Sequence, residues 1–181
     1  MKVSREQAAR NREKVLDSAS RLFRARGVDG VGIGEVMREC GLTHGGFYNQ
    51  FESKEALAAE ACAASLANSA ARWREIVAEA EDAPAAIAAN YLSVRNRDAP
   101  ETGCALIALG PDAARRGGDL AGAFRQGFEE LVGILQQAMP DGDRDAALAR
   151  VAQMVGAMVL ARGVDDAALS DEIMAAARGA L

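Results

Sequence analysis

Residues 41–57 read Gly41-Leu42-Thr43-His44-Gly45-Gly46-Phe47-Tyr48-Asn49-Gln50-Phe51-Glu52-Ser53-Lys54-Glu55-Ala56-Leu57, and this stretch decides the fold. Just before it, Val36, Met37 and Cys40 form a short apolar stripe at helical spacing, so Glu35 to Cys40 predicts a brief helix. Gly41 ends that helix, because glycine enters the left-handed conformation that reverses the chain without steric cost. Leu42 then plugs the corner, and Thr43 is placed to cap a next helix running from His44 to Asn49. Two adjacent glycines each cost roughly 1 kcal/mol relative to alanine in a helix, so Gly45 and Gly46 serve close approach of the backbone to something outside it. After Phe51, Ser53 reads as the cap of a fresh helix that opens on Lys54. A cation in a first turn is disfavoured by the helix dipole unless an anion answers it, as a phosphate does. A glycine turn between two short helices, the second tipped with polar and aromatic groups, is the pattern of a helix-turn-helix that grips DNA.

Upstream, Val15, Leu16, Ala19, Leu22 and Phe23 share one face of a helix predicted from about Ser4 to Arg26, with arginines opposite and Gly27 as its stop. Three helices are the minimal globular unit around such a motif.

Leu22-Phe23, Gly27, Gly41, Gly45, Phe47-Tyr48, Phe51 and Ser53-Lys54-Glu55-Ala56-Leu57 together resemble the N-terminal domain of the tetracycline-repressor-like (TetR) transcriptional regulators, over roughly the first third of the chain. The resemblance implies an all-α homodimer. Residues 1–54 would be the helix-turn-helix DNA-binding domain and 55–181 a helical effector-binding and dimerisation domain. Its partners would be palindromic double-stranded operator DNA, a second copy of the chain and a small-molecule effector, with no cofactor. Carried over residue by residue, Thr43, His44, Gly45, Gly46 and Asn49 face base edges or nearby backbone, and Tyr48 and Lys54 hold phosphates. Gly32 stands where such regulators usually have serine or threonine, Gly34 follows it, and Met37 replaces a commoner alanine, which predicts a weakly capped second helix.

The chain has 181 residues with a formal net charge of -5, a balance that at first sight opposes DNA binding. Through Lys54, however, ten basic and seven acidic residues leave +3, whereas the remainder holds eleven basic and nineteen acidic residues and carries -8. All three lysines lie in the first part. The basic end is therefore the end that meets a polyanion; ordinary solvated faces are the bland alternative. Abundant alanine and a 4% aromatic share favour helices over sheet. No apolar run approaches 18 residues and the N-terminus has no charged stretch followed by an apolar core, so a cytoplasmic protein without membrane contact is expected. No nucleophile elbow, phosphate loop, metal spacing or dinucleotide fingerprint is present, and one histidine leaves little acid-base machinery, so no enzyme is expected. His44, as that lone histidine, donates to a base or phosphate or is simply solvated; a metal role lacks a second ligand. The alternatives to a DNA-binding regulator are a helical interaction protein with a vestigial motif and, behind it, a small enzyme.

Beyond Lys54 the pattern predicts a helix to about Glu81, a second opening on Pro84, a loop over Asn96 to Glu101, and a helix from Thr102 through Pro111 to Arg116. A further helix capped by Asp119 runs to Met139, and two last helices span about Arg144 to Ala161 and Ser170 to Gly179. Trp73, Tyr91, Phe124 and Phe128 either line an aromatic cavity for an effector or pack an ordinary core. Cys104, near a helix start and close in sequence to Arg95, Arg97 and Arg115, is a second candidate for the effector pocket. Gly103-Cys104-Ala105-Leu106 resembles regulators of this family that respond to electrophiles or oxidants, although a buried free cysteine is the commoner case. Cys40 and Cys62 fall on apolar stripes, and the three thiols form no zinc spacing and are expected to be reduced. The helix from Arg144 is apolar around much of its girth. Val151, Val155, Met158 and Val159, with Ile173 on the last helix, are the candidate dimer contacts, in the four-helix pairing the resemblance implies.

Overall fold

The computed structural model describes residues 4–181, which form nine α-helices and two short 3-10 turns and contain no strand among the described residues. Helix α1 (Arg5–Arg26) is capped by Ser4, whose hydroxyl accepts from the Gln7 N–H, and closes on Gly27 at φ 72°. Helix α2 (Ile33–Glu39) starts at Gly32 without a side-chain cap, as the missing serine or threonine predicts. Helix α3 (Lys54–Glu79) opens on Ser53, whose Oγ accepts from the Ala56 N–H at 3.0 Å. Then follow α4 (Ala83–Tyr91), α5 (Val94–Asp98), α6 (Ala105–Arg116), α7 (Gly118–Ala138), α8 (Arg144–Gly163) and α9 (Ala167–Gly179).

Several expectations change in detail. His44–Asn49 is a 3-10 helix rather than an α-helix, since six residues with two glycines cannot sustain the α ladder. Thr43 occupies its N-cap position but makes no side-chain cap bond; its backbone carbonyl accepts from the Gly46 N–H instead. The loop expected over Asn96 to Glu101 contains the end of α5 and a 3-10 turn, Pro100–Thr102, because Ser93 caps α5 by accepting from the Asn96 N–H. Asp119 lies inside the first turn of α7, where its charge suits the dipole, and Gly117 takes the cap position.

One apolar core runs through the molecule. Val15, Ala19 and Phe23 of α1, Ala58, Ala61, Cys62, Leu66, Ala70 and Trp73 of α3, and Leu131 and Leu135 of α7 all belong to it. The α3–α7 seam is so close that a Cβ on Gly127 would lie 2.5 Å from Leu66 Cβ, so only glycine permits this approach. Helix α3 is thus fixed to the body of the protein through its middle, and its N-terminal end supplies the base of the helix-turn-helix.

No helix among the described residues is long and apolar enough to cross a membrane.

Candidate nucleic-acid interface and adjoining cleft

The turn ahead of the reading segment is built as the sequence predicts. Gly41 has φ 68°, its N–H donates to the Arg38 carbonyl at 3.0 Å, and the Leu42 N–H donates to the Met37 carbonyl at 2.9 Å. These are the paired bonds of a Schellman motif, which only a residue tolerant of positive φ closes without strain. Below the segment, Phe47 is fully buried, stacks on Phe51 at 5.7 Å and meets the edge of Tyr48 at 5.2 Å. Burial of a phenylalanine is worth about 1.5–3 kcal/mol, so Phe47 is the anchor that holds this short helix down. Arg12 of α1 covers Phe51 with its guanidinium 4.5 Å from the ring centroid, and both its bonds go to Glu60 of α3.

Anchored from below, the segment turns its other face outward. Thr43, His44, Gly45 and Asn49 are exposed, Gly46 is partly covered by Met37, and Tyr48 is 62% exposed, the largest exposure of any large apolar side chain in the described residues. The His44 and Tyr48 rings stand edge to face at 6.2 Å. Nothing lies within 4 Å of a Cβ built on Gly45, so the backbone there is open to an approaching surface. Lys54 heads α3 beside this face and forms no ion pair among the described residues. Of the seven residues singled out for DNA, Thr43, His44, Gly45, Tyr48 and Asn49 are exposed and Gly46 and Lys54 partly covered, all within this short stretch of chain. It offers neutral donors, an aromatic hydroxyl and a cation, the inventory for phosphate and base-edge contacts.

The expected aromatic cavity is corrected in composition and in membership. A cleft of about 410 Å³ opens between α1, α3, α4 and the 100–102 turn, and Trp73, Tyr91 and Cys104 do line it. Phe124 and Phe128 do not: Phe124 lies on α7 against Gly110 of α6, and both rings pack on the core from outside. The rest of the cleft is polar, with Arg21, Arg24, Arg72 and Arg95, one aspartate, Asp17, and a set of serine and asparagine side chains. These arginines come from three elements distant in sequence, and no local signal in the chain brings them together.

Cys104 sits at the N-cap of α6, but 7% exposure outweighs the helix terminus: burial pushes its thiol up, against the lowering effect of the Leu106 N–H and of Tyr91. Burial likewise pushes the Tyr91 hydroxyl well above its ordinary value, and the nearby Cys104 adds to this. No bond of hydrogen-bonding geometry reaches the Tyr91 hydroxyl, which is left buried and unpartnered. Cys62 is buried, with its thiol pushed to about 12 by desolvation, and the Cys40 thiol donates to the Lys14 carbonyl. Both are packing residues, as expected from their stripes.

The dimer candidates divide. Val151 and Met158 are at most 1% exposed inside this chain's own core, where Met154 joins them at helical spacing, so they have no surface to offer a partner. Val155 and Ile173 are partly covered, and Val159 is 47% exposed. Leu160 at 60% and Leu169 at 44% complete the exposed apolar strip on α8 and α9, and neither stood among the candidates. The sequence conceals this because α8 is apolar on both sides, and periodicity cannot say which side faces inward.

At the far end of α6 two contacts reach back to the α1–α2 loop. Asp112, only 2% exposed, accepts from the Val28 N–H at 3.3 Å, and Arg116 pairs with Asp29 and, at 3.2 Å, with Glu55 of α3. Sequence reasoning missed both; their partners lie more than sixty positions away.

The family model described as bacterial regulatory proteins, tetR family, matches residues 15–61. Over 141 residues, 76% of this chain and 71% of the relative, the sequence is 26% identical to the HTH-type transcriptional repressor NemR of Escherichia coli K12. It is 28% identical over 137 residues to the HTH-type transcriptional repressor KstR2 of Rhodococcus jostii, covering 72% of this chain and 66% of that protein. A shorter match, 41% over 51 residues, links 28% of this chain to 18% of the HTH-type regulator YerO of Bacillus subtilis. In structure, reduced E. coli NemR superposes with a TM-score of 0.79 over 94% of each chain at 22% identity, a likeness of fold. A TetR transcriptional regulator from Chloroflexus aurantiacus superposes with 0.74 over 96% of this chain and 95% of that one, at 26% identity.

Proposed function

We propose, on the premise that the chain belongs to the tetR family of bacterial regulatory proteins, that it is a ligand-responsive repressor which binds a palindromic operator as a homodimer and is released by a small-molecule effector. Residues 1–54 read DNA in this account, and 55–181 hold the effector and the second copy. The observation that carries it is the anchored, outward-facing segment Thr43–Asn49, with Tyr48 exposed above a buried Phe47 and an unpaired Lys54 at its side. An exposed tyrosine held beside a cation offers a hydroxyl and a ring edge to a phosphate or sugar.

Two such heads read half-sites about 34 Å apart on one face of the duplex, so a change of a few ångströms between them spoils simultaneous contact. Helix α6 supports a route for that change. Cys104, at its start, borders the cleft, while Asp112 and Arg116, near its end, hold the α1–α2 loop and the first turn of α3. An effector that prefers the other setting of α6 shifts the population away from the DNA-binding one.

The test is a fluorescence-anisotropy titration of the purified chain on the intergenic DNA flanking its own reading frame, at two salt concentrations. Specific binding that weakens steeply with salt is expected, as phosphate neutralisation requires. Tyr48→Ala and Lys54→Ala should each reduce affinity about tenfold or more. Binding that ignores salt, or that both variants leave untouched, refutes the proposal in favour of an interaction protein with an idle motif.

A further inference from the structure

We infer that the cleft between α1, α3 and α4 is a site for a small organic carboxylate, its anionic end held by Arg24, Arg72 and Arg95 and its body laid on the Trp73–Tyr91 wall. The inference deepens the ligand-responsive reading and rests on it for its regulatory consequence, but the binding itself is argued from the cleft.

Four arginines face one carboxylate, Asp17, in a space of about 410 Å³, a size suited to a small metabolite. Arg21 is answered by Glu39 and Arg72 by Glu75, the latter on the solvent side at 3.3 Å. Arg24 is half-buried, and every acceptor it uses is neutral: the Glu101 carbonyl at 2.6 and 2.8 Å, Ser20 Oγ at 3.1 Å, and Ser65 Oγ. Arg95 has no carboxylate partner among the described residues. An arginine that loses water without gaining a counter-charge is destabilised, and burial accordingly lowers the Arg24 guanidinium below its usual value. Arg162, just behind the cleft, repeats the pattern, with the Asn96 carbonyl as its acceptor and no carboxylate.

A second, independent feature points the same way. The hydroxyl of Tyr91, a residue lining the cleft, is buried and makes no hydrogen bond of good geometry, having only the weakly accepting Cys104 thiol beside it, although a buried hydroxyl normally finds an acceptor. A carboxylate oxygen supplies what both the hydroxyl and the guanidinium groups lack, an anionic acceptor. Beside it, the indole of Trp73 meets Tyr91 edge to face at 6.1 Å, an aromatic corner against which the rest of the ligand packs. A neutral or cationic ligand would leave the excess of arginine charge unanswered.

Binding would also tug on α1. Arg24 ties that helix to the 100–102 turn through the Glu101 carbonyl and to α3 through Ser65, and an incoming carboxylate competes for those same N–H groups. The ligand therefore acts on the helix that carries the DNA-reading end.

The probes are benzoate, phenylacetate and cinnamate, each against its neutral amide, measured by isothermal titration calorimetry and thermal shift on the full chain at constant ionic strength. At least one acid should bind and raise Tm while its amide does not. Arg95→Gln should weaken that acid about tenfold and Tyr91→Phe about fivefold, both with the unliganded Tm close to wild type. Equal binding of acid and amide, unchanged affinity in both variants, or binding of no acid at 5 mM overturns the inference. Operator binding measured in parallel separates the two readings: a chain that binds DNA but no acid keeps its regulator assignment and loses this site, and one that binds an acid but no DNA does the reverse.

Discussion

Replacing Gly127 by alanine is a severe test of the packing that supports the reading head. The added methyl would lie 2.5 Å from both Cβ and Cδ1 of Leu66, where ordinary contact begins at 3.4 Å. Leu66 is fully buried and its Cβ is fixed to the α3 backbone, so relief requires α3 and α7 to part by about 1 Å. Overpacking of this kind costs about 1–3 kcal/mol, and the better helix propensity of alanine returns about 1 kcal/mol. A net loss of up to about 2 kcal/mol is expected. Gly133 provides the control: it lies in the interior of the same helix with nothing within 4 Å of its would-be Cβ, so Gly133→Ala keeps only the propensity gain and should stabilise by about 1 kcal/mol. Urea unfolding followed by circular dichroism, at one protomer concentration so that any association is held constant, reads the difference. If Gly127→Ala proves as stable as Gly133→Ala, the α3–α7 seam is looser than described, and α3 is no rigid base.

Asp112→Ala leaves the buried Val28 N–H without an acceptor and should cost about 1–3 kcal/mol in urea unfolding, whereas Asp112→Asn, which keeps an oxygen there, should cost clearly less. Stability should fall as pH rises above 9, because the unfolded chain ionises its thiols there while burial keeps Cys62 protonated up to about 12 and raises Cys40 and Cys104 as well; the native state then holds the extra protons and loses ground with each pH unit, and Cys62→Ala should flatten the fall in the urea midpoint between pH 8 and 10. Under the proposed dimer, Leu160→Glu puts a charge into the exposed α8 strip, so light scattering should find monomers with wild-type helicity and operator affinity should drop about tenfold or more; an unchanged dimer would place the interface elsewhere.

The fold was legible where chemistry is local. Ser4 and Ser53 announced two helix starts, Gly27 and Gly41 two stops, and the +3 first part marked the basic end, all from residues within a few positions of one another. The reading segment was legible in position but not in form, since His44 to Asn49 spans too few residues for periodicity to separate a 3-10 from an α-helix. What stayed hidden depends on residues far apart in the chain. The cleft gathers Arg24, Arg72 and Arg95 from three elements, and its polar lining cannot be inferred from Trp73 and Tyr91. The inward register of α8 was equally closed, since Val151 and Met158 differ from Val159 and Leu160 only in which side α6 and α7 cover.

Whether a ligand in such a cleft could govern DNA binding turns on how strongly the two ends of α6 are joined. The join to the head is one hydrogen bond from the Val28 N–H to a buried carboxylate, together with two ion pairs from Arg116, one to Asp29 of the α1–α2 loop and one to Glu55 of α3, whose acidic partners are largely exposed. The bond contributes about 1 kcal/mol, and exposed pairs 0–1 kcal/mol each. A latch of about 1–3 kcal/mol is strong enough to set the angle of the reading head and weak enough for a small molecule to overcome, which is the range that gives five- to 150-fold allosteric control. Arg116→Ala removes the exposed half of this latch. It should change unfolding free energy by under about 1 kcal/mol, yet shift operator affinity by up to about fivefold, because the head is released while the fold is kept. An operator affinity identical to wild type would mean that α6 does not hold the head, and the route from cleft to DNA would then have to run through Arg24 and α1 instead.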